Sequence, residues 1–250
     1  MNNVALTSYF SKKKHPNEPG DTHVVGRNSQ GFVDNNTYEY IKPWYDSLIA
    51  NNQEGVLFHD NLSDDFVDKY QNEKIKFIKV EDSEWSNLDY RWMCYESFLK
   101  DNKFDNVFMT DCSDVKLVQP LNTLIDKYKD VSYFACNDSI LLHEFHFYMS
   151  FHELFQLPDR MWFLLNQPRL ELINMGVIGC NYENALKFLK IYNEFRVSLG
   201  RSEIGNLDMA CGQYVFRRLL KGEKMLIGQP FCSEFKKYQN DRKDVYFIHK

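Results

Sequence analysis

The sequence lacks paired cysteines, a basic stripe and long hydrophobic runs, and each absence excludes a class of protein. Without a CxxC pair, neither a zinc finger nor a dithiol redox motif is indicated. A formal charge of -5, with both signs interspersed, argues against a nucleic-acid-binding protein. No apolar run approaches the roughly 20 residues of a membrane helix, and "MNNVALTSYFSKKK" does not resemble a signal peptide. We therefore expect a soluble protein with no integral membrane segment.

The cysteines also bear on the cellular compartment. There are six, they are scattered singly, and several lie inside apolar runs. In a chain with this much hydrophobic sequence a disulfide framework is improbable, so all six are interpreted as reduced core residues. That interpretation favours a cytoplasmic location. The residues are Cys94, Cys112, Cys136, Cys180, Cys211 and Cys232.

What the sequence does contain is a regular alternation of short apolar runs and helical stretches. Hydrophobic residues make up 44% of the 250 positions, which is ample for a large core. Alternation of this kind predicts an α/β fold with a mostly parallel central sheet flanked by helices. Strands are predicted at 4–10, 55–61, 75–81, 106–112, 131–138, 172–181 and near 224–231. Helices are predicted at 36–52, where Pro43 should delay or kink the start, and at 64–71, 87–102, 120–130, 182–199 and 206–220.

Two segments do not follow this alternation. Residues 11–36 are rich in Gly, Pro, Asn and Lys, which predicts a long loop. Residues 139–171 are aromatic throughout without a clear period, and we interpret them as an insertion or lid. No repeat or low-complexity linker is evident, so 1–250 is predicted to be a single domain.

The segment "NVFMTDCSDVKL" places two carboxylates at the end of a predicted strand. In open α/β folds the carboxyl ends of strands form the ligand-binding edge. Asp111 and Asp114 would repel each other unless a cation lay between them, and a hard divalent ion such as Mg²⁺ or Mn²⁺ is the usual solution. Such an ion would hold a diphosphate. The alternative is that Asp114 caps a helix or turn.

These motifs resemble those of a known enzyme family. "FMTDCSDVKLVQP" is similar to the acidic metal motif of GT-A-fold, nucleotide-sugar-dependent glycosyltransferases, here spaced DxxD rather than DxD. "NMGVIGC" is similar to the family's small-residue strand beside the sugar site, and "YFIHK" supplies a histidine near the C-terminus. The resemblance implies a GT-A-like, Rossmann-like domain, with nucleotide binding in about 1–138 and sugar and acceptor binding in about 139–250.

The resemblance also implies a set of ligands and residue roles. The donor would be a nucleotide sugar, most often a UDP-sugar, the cofactor Mn²⁺ or Mg²⁺, and the partner a carbohydrate acceptor. Asp114 and His249 would bind the metal, and Asp111 would contact the metal or the ribose. Asn174 could bond a sugar hydroxyl, while Gly176 would let the backbone approach a ligand. The remaining nucleotide contacts would come from Thr7, Ser8, Tyr9 and Phe10, with Tyr9 stacking on the base, and from Arg91 near the diphosphate or sugar.

An inverting enzyme would also need a carboxylate base for the acceptor hydroxyl. Asp208 in "GNLDMACGQ" is the candidate that the resemblance implies, and Glu203 is its rival. If the enzyme retains configuration, the expected role of the same residue is to position substrate. The alternative, purely structural interpretations are a helix cap for Asp208, a solvated helix face for Arg91 and core packing for Tyr9.

Other functions remain open at this point. A non-catalytic sugar- or nucleotide-binding domain of the same fold is one alternative. A metal-dependent phosphohydrolase with an aspartyl nucleophile is a weaker one. In such enzymes the second Asp follows two positions after the first, whereas Asp114 follows Asp111 by three. "HEFHFYMSFHE" contains three histidines but no HExxH, so it is not interpreted as a zinc site. Its aromatic residues and Trp162 could instead line an acceptor pocket or pack as core.

Overall fold

The computed structural model describes residues 1–12, 36–147, 169–200 and 207–250. The predicted alternation of strands and helices is confirmed within these ranges. The strands are β1 (Asn3–Tyr9), β2 (Glu54–His59), β3 (Ile75–Lys79), β4 (Asn106–Thr110), β5 (Val115–Leu117), β6 (Tyr133–Leu141), β7 (Glu171–Asn181), β8 (Met225–Ile227) and β9 (Phe247–His249). The helices are α1 (Tyr38–Ala50), α2 (Asp64–Tyr70), α3 (Asn87–Asp101), α4 (Leu121–Lys127), α5 (Tyr182–Ser198) and α6 (Asp208–Tyr214).

The central sheet has seven strands in the order β3, β2, β1, β4, β7, β6, β8, and it is mostly parallel, as predicted. Four of its six neighbouring pairs are parallel. Only β7 runs against its neighbours β4 and β6. The carboxyl ends of β1 to β4 therefore meet at one edge, and the first half of β7 returns to that same edge. β5 and β9 form a separate antiparallel pair.

Alternate residues of the strands supply two cores, one on each face of the sheet. Val4 and Leu6 of β1 contribute to the core shared with α3, α5 and α6. Ala5 and Tyr9 contribute to the opposite core, which α1, α2 and α4 cover. This two-residue period is the expected consequence of strand geometry, and it produces helix, sheet and helix layers.

Local capping explains where several helices begin. The Ser63 side chain accepts a hydrogen bond from the Phe66 amide at the start of α2, and the Asn181 side chain does the same for Asn184 in α5. Pro43 was predicted to delay or kink the start of the first helix, and the delay is wrong, because α1 begins at Tyr38 and includes Pro43. Buried side chains of α1 hold the helix against the sheet despite the hydrogen bond that a proline cannot donate.

Two further differences from the sequence predictions concern the second half of the chain. The helix predicted at 206–220 is α6 followed by a π-helical turn, Val215–Leu219. The 139–171 segment begins with the end of β6 and a 3₁₀ helix, Leu142–Phe147, and its remainder up to residue 168 lies outside the described residues. The 11–36 loop lies mostly outside them too.

The interpretation of all six cysteines as reduced is wrong. Cys136 and Cys232 form a disulfide across 96 residues, whereas the other four cysteines are free and buried. Nothing in the local spacing indicated this pair, because only the tertiary fold brings β6 to the segment after β8. The cytoplasmic prediction therefore loses the observation on which it depended, since disulfides are typical of oxidising compartments.

No helix within the described ranges is both long enough and apolar enough to traverse a lipid bilayer.

Candidate metal centre

The end of β4 is held tightly between its two neighbours. The Thr7 hydroxyl of β1 donates a hydrogen bond to the Thr110 carbonyl at 2.9 Å. On the other side, the Asp111 amide donates to the Gly176 carbonyl of β7 at 2.7 Å. The acidic turn therefore starts from a fixed backbone at the carboxyl edge of the sheet.

The small β5–β9 sheet brings the C-terminal histidine to this turn. β5 begins directly after Asp114, and its first residue, Val115, lies opposite His249. The backbone amide of His249 donates to the Ser233 hydroxyl at 2.9 Å, while that hydroxyl in turn donates to the His249 carbonyl at 3.3 Å. The Phe235 ring packs against the imidazole, with centroids 4.3 Å apart. Backbone pairing and packing thus fix the imidazole position.

The three predicted metal ligands lie together. His249 Nε2 is 3.7 Å from one carboxylate oxygen of Asp111 and 3.7 Å from one of Asp114. One potential ligand atom from each residue lies within 4.8 Å of the other two. Metal–ligand bonds of about 2.0 to 2.2 Å place neighbouring ligand atoms about 2.8 to 3.6 Å apart, so a divalent ion would fit between them once the side chains move slightly closer.

Polar atoms of this cluster are left without hydrogen bonds. His249 is 1% exposed, and neither of its ring nitrogens has a hydrogen-bond partner within the described part of the chain. The same holds for the buried Oδ1 of Asp114. Buried polar atoms are normally paired, so three orphaned atoms on two neighbouring side chains are an indication of a missing ligand.

The electrostatics of the cluster point the same way. Burial, with the neighbouring charge of Asp111, raises the pKa of Asp114 to about 8. Burial lowers the pKa of His249 to about 4, although Asp111 opposes that shift. Without a cation, the site therefore favours a neutral imidazole, which is the ligand form, and a protonated Asp114. A bound cation would instead favour the ionised form of the Asp114 carboxylate, because it supplies a neighbouring positive charge.

Gly176 leaves the room that this arrangement needs. A Cβ atom at this position would lie 2.6 Å from Asp111 Oδ2 and 2.7 Å from His249 Nε2, nearer than van der Waals contact allows. Asn174 fixes this part of β7, because its side-chain oxygen accepts a hydrogen bond from the Gly176 amide at 2.7 Å. A contact of Asn174 with a sugar remains a prediction.

Arg91 lies next to the metal cluster and pairs with two carboxylates. One guanidinium nitrogen bonds Asp111, and another bonds Asp208 at 2.7 Å. The side chain is 7% exposed, so the interpretation of Arg91 as part of a solvated helix face is wrong. Asp111 and Asp208 raise the pKa of Arg91 above its usual value in spite of burial, which opposes this. Arg91 therefore carries its charge at the site permanently.

Asp208 is buried beneath this arginine. It is the first residue of α6, one position after the N-cap Leu207, so the cap interpretation is wrong. Burial raises its pKa to about 6, even though Arg91 opposes the shift. Its rival, Glu203, lies outside the described residues. The structure thus connects Asp208 to the metal cluster through Arg91.

The predicted nucleotide turn is largely occupied with internal packing. Thr7 and Tyr9 are fully buried, and the Tyr9 ring stacks on Tyr40 with centroids 4.3 Å apart. Phe10 is 7% exposed and contacts Tyr90, while Ser8 is half-buried. In this structure Tyr9 presents no exposed face for a base, so the core-packing interpretation describes it. The remaining roles predicted for this turn are untested.

A pocket at the same sheet edge was missed in the sequence. It has a volume of about 450 Å³, within the usual range for small-molecule sites. Asp60 lies in it, directly after β2, and its carboxylate accepts hydrogen bonds from the Ser11 and Lys12 amides at 2.8 and 3.0 Å. The signal was present in "GVLFHDN", a strand that ends in an acidic residue. The lining residues are Lys12, Asp60, Lys79, Val80, Glu81 and Asp82.

The histidine-rich segment contributes no metal cluster among the residues that the structure describes. His143 and Glu144 lie in the 3₁₀ helix, and neither belongs to a group of potential ligands there. His152, Glu153 and Trp162 lie outside the described ranges, and so does the predicted acceptor pocket.

Comparison with known proteins adds no family to this geometry. No protein-family model matches the sequence, and no curated protein matches it significantly. The site is accordingly interpreted from its own residues.

Proposed function

We propose that the chain is a metal-dependent glycosyltransferase of the GT-A type, which transfers a sugar from a nucleoside-diphosphate sugar to a carbohydrate hydroxyl. The cluster of Asp111, Asp114 and His249 carries this proposal. Two carboxylates and a neutral imidazole suit Mn²⁺ or Mg²⁺, with open positions for phosphate oxygens. UDP-sugars are the proposed donors because of the sequence resemblance.

The pocket at the ends of β1 to β3 supports a ligand that extends along the sheet edge. It lies at the same edge as the metal cluster, because all four of the first parallel strands end there. A nucleoside could occupy the pocket while its diphosphate reaches the cluster. Lys12 and Lys79 would favour an anionic ligand, although Asp60, Glu81 and Asp82 set limits on how much negative charge the pocket accepts.

A divalent cation, Arg91 and Asp208 would each have a separate role in the transfer reaction. A divalent cation, when bound, stabilises the negative charge of the departing diphosphate. Arg91 adds a fixed positive charge to the same region and holds Asp111 in place through its ion pair. Asp208, with its pKa of about 6, is mostly ionised at neutral pH and is the candidate to accept the acceptor proton.

One observation favours the alternative, a non-catalytic nucleotide- or sugar-binding domain. Asp208 is 2% exposed and paired with Arg91, so an acceptor hydroxyl has no direct access to it in this structure. Asp208→Asn separates the two functions. An enzyme should lose turnover but keep binding UDP, whereas a binding domain would show no turnover in either form.

We do not extend the proposal to a cytoplasmic location. The Cys136–Cys232 bond is typical of proteins from oxidising compartments, and a reducing cytosol would tend to open it.

The first test is calorimetric titration of UDP into the protein with and without Mn²⁺. We expect binding that requires Mn²⁺ and is lost in Asp114→Ala, because Asp114 supplies a ligand with an orphaned oxygen. Asp126→Ala is the matched control, since Asp126 is an exposed carboxylate on α4. Binding that persists without metal, or in Asp114→Ala, would contradict the proposal.

A further inference from the structure

The disulfide lies next to the candidate metal centre. Cys136, in β6, pairs with Asn174 of β7, which in turn bonds the Gly176 amide. Cys232 directly precedes Ser233, the residue that exchanges two hydrogen bonds with His249. The disulfide therefore connects the two backbone segments that support the metal cluster.

The sulfur atoms themselves are close to the imidazole. One ring nitrogen of His249 and the two sulfur atoms all lie within 4.8 Å of one another. Both cysteines are fully buried, and His249 is 1% exposed. The described residues offer neither ring nitrogen of His249 a hydrogen bond. A ring nitrogen is therefore available to coordinate a metal ion together with the two sulfur atoms.

Reduction would convert this neighbourhood into a different kind of site. A disulfide is a poor ligand, but two thiolates and an imidazole form a set typical of Zn²⁺. Zn–S bonds of about 2.3 Å require the sulfurs to separate to about 3.8 Å in a tetrahedral site. The Cα atoms are 5.3 Å apart, so side-chain rotation suffices to reach that separation.

We propose that the reduced chain has a second metal site, formed by Cys136, Cys232 and His249, which binds Zn²⁺ or another thiophilic divalent cation. Its chemistry differs from that of the carboxylate cluster, because thiolates favour soft or borderline ions and carboxylates favour hard ones. The second site does not depend on glycosyl transfer, since Asp111 and Asp114 contribute no ligand to it.

Reduction of the disulfide and binding of the cation are two separate reactions. A phosphine reductant breaks the S–S bond and becomes a phosphine oxide, with its oxygen taken from water. Each sulfur takes one proton from that water, which gives two thiols. When the cation binds, both thiol protons leave to solvent and the two thiolates coordinate the ion. The redox state of one buried bond therefore decides whether this site exists.

The test uses Co²⁺, whose bonds to thiolates produce a charge-transfer absorption. We compare the intact oxidised protein with the phosphine-reduced protein, and count thiols to verify that four have become six. The absorption should appear on addition of Co²⁺ to the reduced protein only, and Zn²⁺ should abolish it by competition. Circular dichroism verifies that the reduced protein stays folded.

Three variants identify the ligands. Cys136→Ser should lose the absorption, whereas Cys94→Ser should keep it, because Cys94 is buried and free elsewhere in the core. Asp114→Ala should also keep it, which separates this site from the carboxylate cluster. The proposal is overturned if reduced wild-type protein shows no charge-transfer absorption, if Cys136→Ser retains it, or if reduction unfolds the chain.

Discussion

Gly176→Ala offers a sharp test of the candidate metal centre, because it adds one methyl group where two of the proposed ligands meet. The new Cβ would lie 2.6 Å from Asp111 Oδ2 and 2.7 Å from His249 Nε2, whereas ordinary contacts begin at 3.4 Å. The two ligand atoms would therefore have to move by about 0.8 and 0.7 Å, the differences between these distances. Metal sites hold their ligand distances to within about 0.2 Å. Such shifts should weaken Mn²⁺ binding by about 10- to 100-fold or more.

Calorimetric titration with Mn²⁺ measures this loss, and Gly179→Ala is the matched control. Gly179 lies in the same strand, and its added Cβ would lie 2.6 Å from the Phe108 ring, away from the ligands. Both variants should be less stable to urea, but only Gly176→Ala should lose affinity for Mn²⁺. A folded Gly176→Ala protein that binds Mn²⁺ as the wild type does would refute the assignment of Asp111 and His249 as ligands.

Two further predictions concern stability. Because the pKa of Asp114 is raised from 3.8 to about 8 in the folded state, stability present at low pH is lost as the pH rises toward 8. The lowered pKa of His249 affects stability only below 6.5, so the melting temperature of metal-free protein should fall between pH 6.5 and 8, and Asp114→Asn should flatten this fall. A rising wild-type melting temperature would contradict it. Arg196→Met should cost about 3 to 5 kcal/mol of unfolding free energy in urea, because it leaves Asp89, now bonded at 2.8 and 2.9 Å, buried and unpaired. An unchanged unfolding free energy would show that the pair contributes no net stability.

Local patterns predicted the elements of the fold because each pattern acts within a few residues. Short apolar runs and helical spacing located the strands and helices. The direction of β7 was not available from any local pattern, since it depends on the path of the 139–171 segment. Pairing of β5 with β9 depends likewise on distant chain segments.

The residues of the candidate site likewise include some that a local pattern indicated and others that only the tertiary fold brings together. Asp111 and Asp114 follow one strand, so a single sequence window indicated both. His249 was implied by resemblance to a family, and the structure places it beside them. The ion pairs of Arg91 and the Cys136–Cys232 bond join positions far apart in the chain, where neither spacing nor composition gives a signal.

The disulfide has a topological consequence for the metal centre. Asp114 and His249 are 135 residues apart in sequence, and the disulfide-bonded residues lie between them, so its loop is nested within the one that a metal ion would close. Once the inner loop is closed, only the 22 residues from Asp114 to Cys136 and the 17 from Cys232 to His249 remain in the outer circuit, or 39 in all. Closing 39 rather than 135 residues lowers the entropic cost by about 1 kcal/mol. Formation of the covalent bond before metal binding would thus bring the two halves of the site closer while the chain is still folding.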